Sequence, residues 1–396
     1  MPKHLKAAVT PALLRWARES AGFSVGEAAA KVPTKPERLE SWESGDDQPT
    51  INQLRKLGVV YKRPIAVFYL AEPPRGWAAL RDFRRLPGEV YGAQSPRLRM
   101  EIRRARTRRE VAIELYQELG EAIPEFEIEG TIGDNPSELA ESIREALGVS
   151  IHRQFEWKGH YEAYNGWREA IENRGILIFQ ASRIEVGEMR GFCVSDKPLP
   201  VIGVNSADSV HGRIFSVIHE LVHIALSESG ISDLVTETER PPEEQAIEVF
   251  CNQVAAEILV PSEVLSSIPA VKRKTSPEWD SRTLAGLSRA FGVSKEVILR
   301  RLVTIGKSSH GFYELQRDKW AAEYTALPPK KGGPVPQERL AISSSGRRFT
   351  QLVLNSYYRE VISVSDVSGY LNLRVKHFGK LENELWGRTV MFKEAV

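Results

Sequence analysis

The sequence predicts an α+β protein, mainly helical and divided into several domains. Three observations lead there. Short, capped helical stretches fill the first 61 residues. Three apolar strand candidates between 175 and 205 lead into a long helix with one face suited to burial. A Pro/Gly segment, Pro328 to Pro336, separates off a further helical tail. At 396 residues the chain exceeds one small core. Its 42% hydrophobic and 27% charged residues are those of an ordinary globular protein, and the net charge is only +2. Cys193 and Cys251 are the only thiols; both lie in apolar segments and cannot form a disulfide framework. Met1 to Trp16 lacks the apolar core of a signal peptide, and no run is long enough for a membrane span. The expected location is cytoplasmic, without a membrane partner.

Residues 1–75 read as a helical bundle, with helices over Pro11 to Ser20, Val25 to Lys31, Lys35 to Glu43 and Thr50 to Tyr61. Ser24 and Thr34 stand as N-caps, and Gly45 is a stop. Two short helices joined by a tight turn make a helix-turn-helix unit. On its presumed recognition helix Lys35, Arg38 and Ser41 are the candidate DNA contacts, whereas Trp42 is better suited to the core. Glu37, Glu40 and Glu43 on the same helix oppose phosphate binding, so contact with a protein is the competing role. Residues 76–125 form a basic connector. Its guanidinium run, Arg97 to Arg109, is expected to be a solvated helix face, continued by an amphipathic helix over Glu110 to Leu119.

Residues 126–270 carry the chemistry. Helices are expected at Pro136 to Leu147 and at Trp157 to Asn173, the latter turning Ala163, Trp167 and Ile171 inward. Strands are expected at Gly175 to Gln180, Arg190 to Ser195 and Leu199 to Asn205. From Val210 to Leu226, the residues Ile214, Val217, Ile218, Leu221, Ile224 and Ala225 recur at helical intervals around His219-Glu220-Leu221-Val222-His223. Two imidazoles four residues apart share a helix face, so their nitrogens should come within about 5 Å and can close on one zinc ion. Glu220 then stands beside the metal, where a carboxylate can take a proton from water. A second helix starts at Pro242 and ends at Pro261, and Glu248 flanks its apolar stripe. A catalytic zinc takes three protein ligands, and Glu248 is the expected third. Such ligands also accept manganese. His152, His160 and His211 are expected to stay outside the ligand set.

The segments His219 to His223, Glu248-Val249-Phe250-Cys251-Asn252 and Ala255-Ala256-Glu257-Ile258-Leu259-Val260-Pro261 closely resemble the ImmA/IrrE family of bacterial metallopeptidases. The resemblance begins near Pro64 to Leu70, passes through Asp82-Phe83-Arg84 and runs to about Gly306. It implies a zincin-like (gluzincin) catalytic domain in which His219, His223 and Glu248 bind zinc and Glu220 is the catalytic base. It also implies a substrate class: helix-turn-helix repressors, whose cleavage releases stress-response or mobile-element genes. Val25 to Ala29 and Ser41 to Gly45 resemble the Xre/Cro-type DNA-binding domain.

Residues 271–327 form a further helical domain, with helices over Ser281 to Ala290 and Ser294 to Thr304; a structural role is expected for it rather than DNA binding. The linker spans 328–336. Residues 337–396 form a small C-terminal module of unassigned role, with helices over Arg348 to Glu360 and Ser365 to Glu384. The leading expectation is therefore zinc-dependent cleavage of a protein substrate. The alternative is a DNA-binding or antitoxin-like regulator with a structural or silent metal.

Overall fold

A computed structural model describes residues 6–74, 81–82, 94–232, 242–326 and 335–387. The linker at 328–334, Phe83-Arg84 of the family resemblance and the last nine residues lie outside them. The described residues fall into two compact units: those of Met1–Ala79 with Gly88–Arg104, and those of Leu80–Pro87 with Ala105–Val396.

In the first unit, α1 (Pro11–Ser20), α2 (Val25–Lys31), α3 (Pro36–Ser44) and α4 (Ile51–Tyr61) are followed by a 3-10 segment, Ile65–Tyr69. They enclose Leu14, Ala17, Leu39, Trp42, Leu54, Leu57, Tyr61 and Phe68. Ser24 and Thr50 start their helices with capping boxes closed by Glu27 and Gln53. Gly45 ends α3 at φ 92, where a Cβ would be strained. Thr34 is not a cap. Pro36 occupies the first helical turn and disfavours helical geometry in the residue before it, so Lys35 becomes the N-cap. Glu43 turns inward and receives two hydrogen bonds from Arg18, at 2.7 and 2.8 Å. It is thus removed from the acids that would face phosphates.

The second unit contains β1 (Arg81–Asp82), and the chain reaches the rest of it along α5 (Pro96–Leu119). The arginines of α5 from Ala105 onward are not a solvated face. Arg108 is buried, donates to the Ser344 carbonyl at 2.7 Å and lies over the Phe179 ring. Arg109 donates to the carbonyls of Leu199 and Asp196. Long stems packed along apolar surface and planar heads that reach carbonyls let arginine serve inside a fold.

Next come α6 (Pro136–Leu147), α7 (Ile151–Glu156) and α8 (His160–Glu172). The helix expected from Trp157 starts three residues later, at His160: Trp157 caps α7 in an extended conformation and packs edge-on against Trp167, with centroids 5.5 Å apart. Gly166 leaves space for it, since a Cβ there would lie 2.3 Å from the Trp157 ring. Ala163, Trp167 and Ile171 face inward as expected.

The sheet comprises β1, β2 (Leu177–Ala181), β3 (Gly191–Val194), β4 (Val201–Asn205) and β5 (Gly230–Ser232), in the order β1-β5-β3-β4-β2. β2 runs parallel to β4 and β1 parallel to β5, while β3 is antiparallel to both its neighbours. Every residue of β2, β3 and β4 is buried, which explains their unbroken apolar runs. The two-residue β1 and three-residue β5 are too short to leave a periodic pattern, and the sequence reading missed both.

One face of the sheet, with Ile178, Cys193, Ile202 and Val204, joins a core shared with α6, α8, α9 (Val210–Ala225) and α10 (Pro242–Leu259). After α11 (Ser262–Ser267) and α12 (Pro269–Lys272), α13 (Ser281–Phe291) and α14 (Lys295–Thr304) add Leu284, Leu287, Phe291, Ile298, Leu299 and Leu302 to the same core. Helix α15 (His310–Ala326) follows. The last helices are α16 (Gln337–Ser345), α17 (Arg347–Tyr358), α18 (Val364–Leu371) and α19 (Phe378–Trp386), with a 3-10 turn at Val375–His377. The sequence reading missed α16, which packs on β2: Ser343 donates to the Gln180 side chain at 2.7 Å. Gly346, at φ 82, brings backbone against the Ile178 carbonyl, which also accepts from Arg168 at 2.9 Å. The C-terminal helices therefore cover the outer edge of the sheet, where unpaired backbone would otherwise invite further strands.

Candidate metal centre

Helix α9 begins at Ser209, whose hydroxyl accepts from the Gly212 amide. It packs against α8, α10, β3 and β4, so its central turns are covered nearly all round. His219, Glu220 and His223 are each 0% exposed, as is Glu248 on α10. Polar groups at such depth are costly unless they meet partners, and here they meet one another. The Nε2 atoms of His219 and His223 lie 3.1 Å apart. Glu248 reaches both, with Oε2 3.4 Å from His219 Nε2 and Oε1 3.3 Å from His223 Nε2. Phe215, one turn before His219, stacks on its ring with centroids 6.3 Å apart.

The position of α10 is set at its end. The last carbonyls of a helix have no partner within it. Here Arg144 of α6 donates to the Ile258 carbonyl, Gln154 of α7 to that of Leu259 at 2.8 Å, and Arg301 of α14 to that of Val260 at 3.0 Å. Arg301 also pairs with Glu257 at 2.5 Å. These residues bond the end of α10 beyond Glu248 and so hold the helix that carries it.

Burial, aided by the nearby His219, pushes the His223 imidazole below its usual pKa and leaves a lone pair free of its proton. Burial alone would raise the Glu248 carboxyl, but the charge and hydrogen bond of His219, with the hydrogen bond to His223, outweigh it and hold the group ionised. Cys193 and Cys251 go the other way: burial raises both thiols well above their usual range, so neither offers a thiolate at neutral pH. Two imidazole nitrogens and a carboxylate, with ligand atoms all within 4.8 Å of one another, form a nitrogen/oxygen donor set that fits zinc and other divalent transition metals. Among the described residues no other group of three such ligands lies this close.

Glu220 lies against β3, where a Cβ at Gly191 would stand 2.5 Å from its Oε1. The sequence reading missed Gly191, Phe215 and the three residues that hold the end of α10. A glycine inside an apolar strand was the available signal for the first, because it often marks close approach by another group. The remaining histidines stay outside the cluster. His152 and His160 are exposed, and His211 is half-buried with its ring 5.4 Å from that of His160. Lys35, Arg38 and Ser41 belong to the first unit, around the start of α3. Lys35 and Arg38 are exposed, Arg38 lies 3.7 Å from Asp47 and over the Trp42 ring, and the Ser41 hydroxyl donates to the Arg38 carbonyl. No helix among the described residues is long and apolar enough to cross a membrane.

No curated protein matches the chain. Residues 171–303, from the end of α8 into α14, match the family model described as the IrrE N-terminal-like domain, Peptidase_M78, and all four site residues fall within the match. By this similarity the segment is of the metallopeptidase kind.

Proposed function

We propose that the chain is a zinc-dependent, site-specific endopeptidase whose substrate is a protein, and specifically a helix-turn-helix transcriptional repressor. The observation that carries this reading is the buried convergence of His219, His223 and Glu248, with Glu220 on the same helix, inside the matched segment. His219, His223 and Glu248 would hold the metal. Zinc bound there supplies Lewis acidity and makes water a better nucleophile near neutral pH. Glu220 takes the proton of the attacking water and passes it to the amide nitrogen as the peptide C–N bond breaks, leaving a carboxylate and an amine. Manganese would be an acceptable substitute for this donor set. The repressor as substrate rests on the family resemblance, and the first unit, with α2 and α3 joined by Val32 to Lys35, has the kind of helix pair such repressors use.

The alternative regulator would act through Lys35, Arg38 and Ser41. Arg38 already faces Asp47, and Ser41 is bonded to its own helix, which favours the peptidase reading. The test is to incubate zinc-loaded protein with the helix-turn-helix repressor encoded nearest its gene and to follow fragments by intact mass. Glu220→Gln is expected to keep its zinc and to lose cleavage by ~10²–10⁴-fold, because an amide cannot serve as the base. Full cleavage, or full derepression in cells, by Glu220→Gln would refute the proposal.

A further inference from the structure

β3 brings a glycine against the Glu220 carboxylate. Gly191 sits inside the sheet, paired with Val204 of β4 and Ser232 of β5, where glycine is a poor strand former. Its backbone does not demand glycine, since its φ is not left-handed. What excludes a side chain is Glu220: a Cβ at 191 would lie 2.5 Å from Oε1, 2.9 Å from Cγ and 3.0 Å from Cδ. Two residues on, and so on the same face of the strand, the Cys193 thiol donates to the Glu228 carbonyl at 3.2 Å. Phe192, between them, turns to the opposite face and fills the space over Gly203. The strand thus offers α9 a bare backbone where the carboxylate rests.

We propose that Gly191 is a positioning residue for Glu220, because it leaves the volume that the carboxylate occupies. The catalytic consequence rests on the peptidase reading, whereas the placement itself is measurable without catalysis. The first experiment introduces Gly191→Ala into the full-length native protein and into Glu220→Ala, and compares thermal unfolding. The added methyl is expected to lower Tm by several degrees in the native background. With Glu220 truncated it should leave Tm unchanged or raise it, because alanine then fits and loses less chain entropy on folding. A Gly191→Ala chain that folds only in the Glu220→Ala background supports the placement equally. The same loss in both backgrounds overturns it.

The second experiment uses zinc-loaded proteins with the helix-turn-helix repressor encoded nearest the gene as probe. Gly191→Ala is expected to keep one zinc per chain and an unchanged KM while kcat falls ~10–100-fold, the scale of a misplaced catalytic group. Unchanged kcat, or loss of the zinc, overturns the assignment. A native protein that cleaves no probe counts against the peptidase reading, and the thermal comparison still decides where the carboxylate sits.

Discussion

Replacing Arg301 by methionine tests whether the far end of α10 holds the site together. Arg301 is 3% exposed, and it bonds the Val260 carbonyl at 3.0 Å and the Ser262 hydroxyl at 2.6 Å while pairing with Glu257. Methionine keeps most of the stem and removes the charge, so a buried carboxylate and a helix-end carbonyl lose their partner together. Breaking a buried pair from one side costs ~3–5 kcal/mol, which in a unit of this size lowers Tm by roughly 5–15 °C. The pH dependence carries a sign. Burial would raise Glu257, but hydrogen bonds from Ser262 and Arg301 outweigh it and hold the carboxyl below its usual value. Its contribution to native stability is therefore full above the unfolded-state pKa and is lost as pH falls through the folded-state pKa. In Arg301→Met the carboxyl lacks its cation, its pKa rises, and protonation relieves the penalty. The gap between native and variant should thus narrow as pH falls from 7 toward about 4. Calorimetry across that range checks both statements, with zinc content measured alongside because a loosened α10 should bind metal more weakly through Glu248. A Tm loss under ~2 °C, or a gap independent of pH, would refute the reasoning.

Two further outcomes follow. Chelation should lower Tm and zinc should restore it, by ~4 kcal/mol at free metal a thousandfold above Kd, whereas His223→Ala should no longer respond to chelator; an equal response in that variant would move the metal elsewhere. In the first unit, Glu43→Ala strands the buried Arg18 guanidinium and should cost ~3–5 kcal/mol, while Glu40→Ala, on the exposed side of α3, should stay within ~0.5 kcal/mol; chemical denaturation of both separates the inward acid from the outward one.

Sequence alone determined what depends on short-range geometry. Helical periodicity placed His219 and His223 on one face, and their 3.1 Å approach meets the expectation of about 5 Å. Capping chemistry located the start of α2 at Ser24, and the three longer strands were legible because strands buried on both faces read as apolar runs. Glu248 was legible as a candidate ligand from a family pattern and a helix face, but its contact with both imidazoles is a property of how α9 packs on α10. Tertiary structure alone decided the rest. It turned Glu43, Arg108 and Arg301 inward, laid α16 along the edge of β2 and brought Gly191 under Glu220. The physical reason is common to all of these. A charge's neighbours, a sheet's free edge and the space beside a glycine are set by residues tens to hundreds of positions away, and no local period records them.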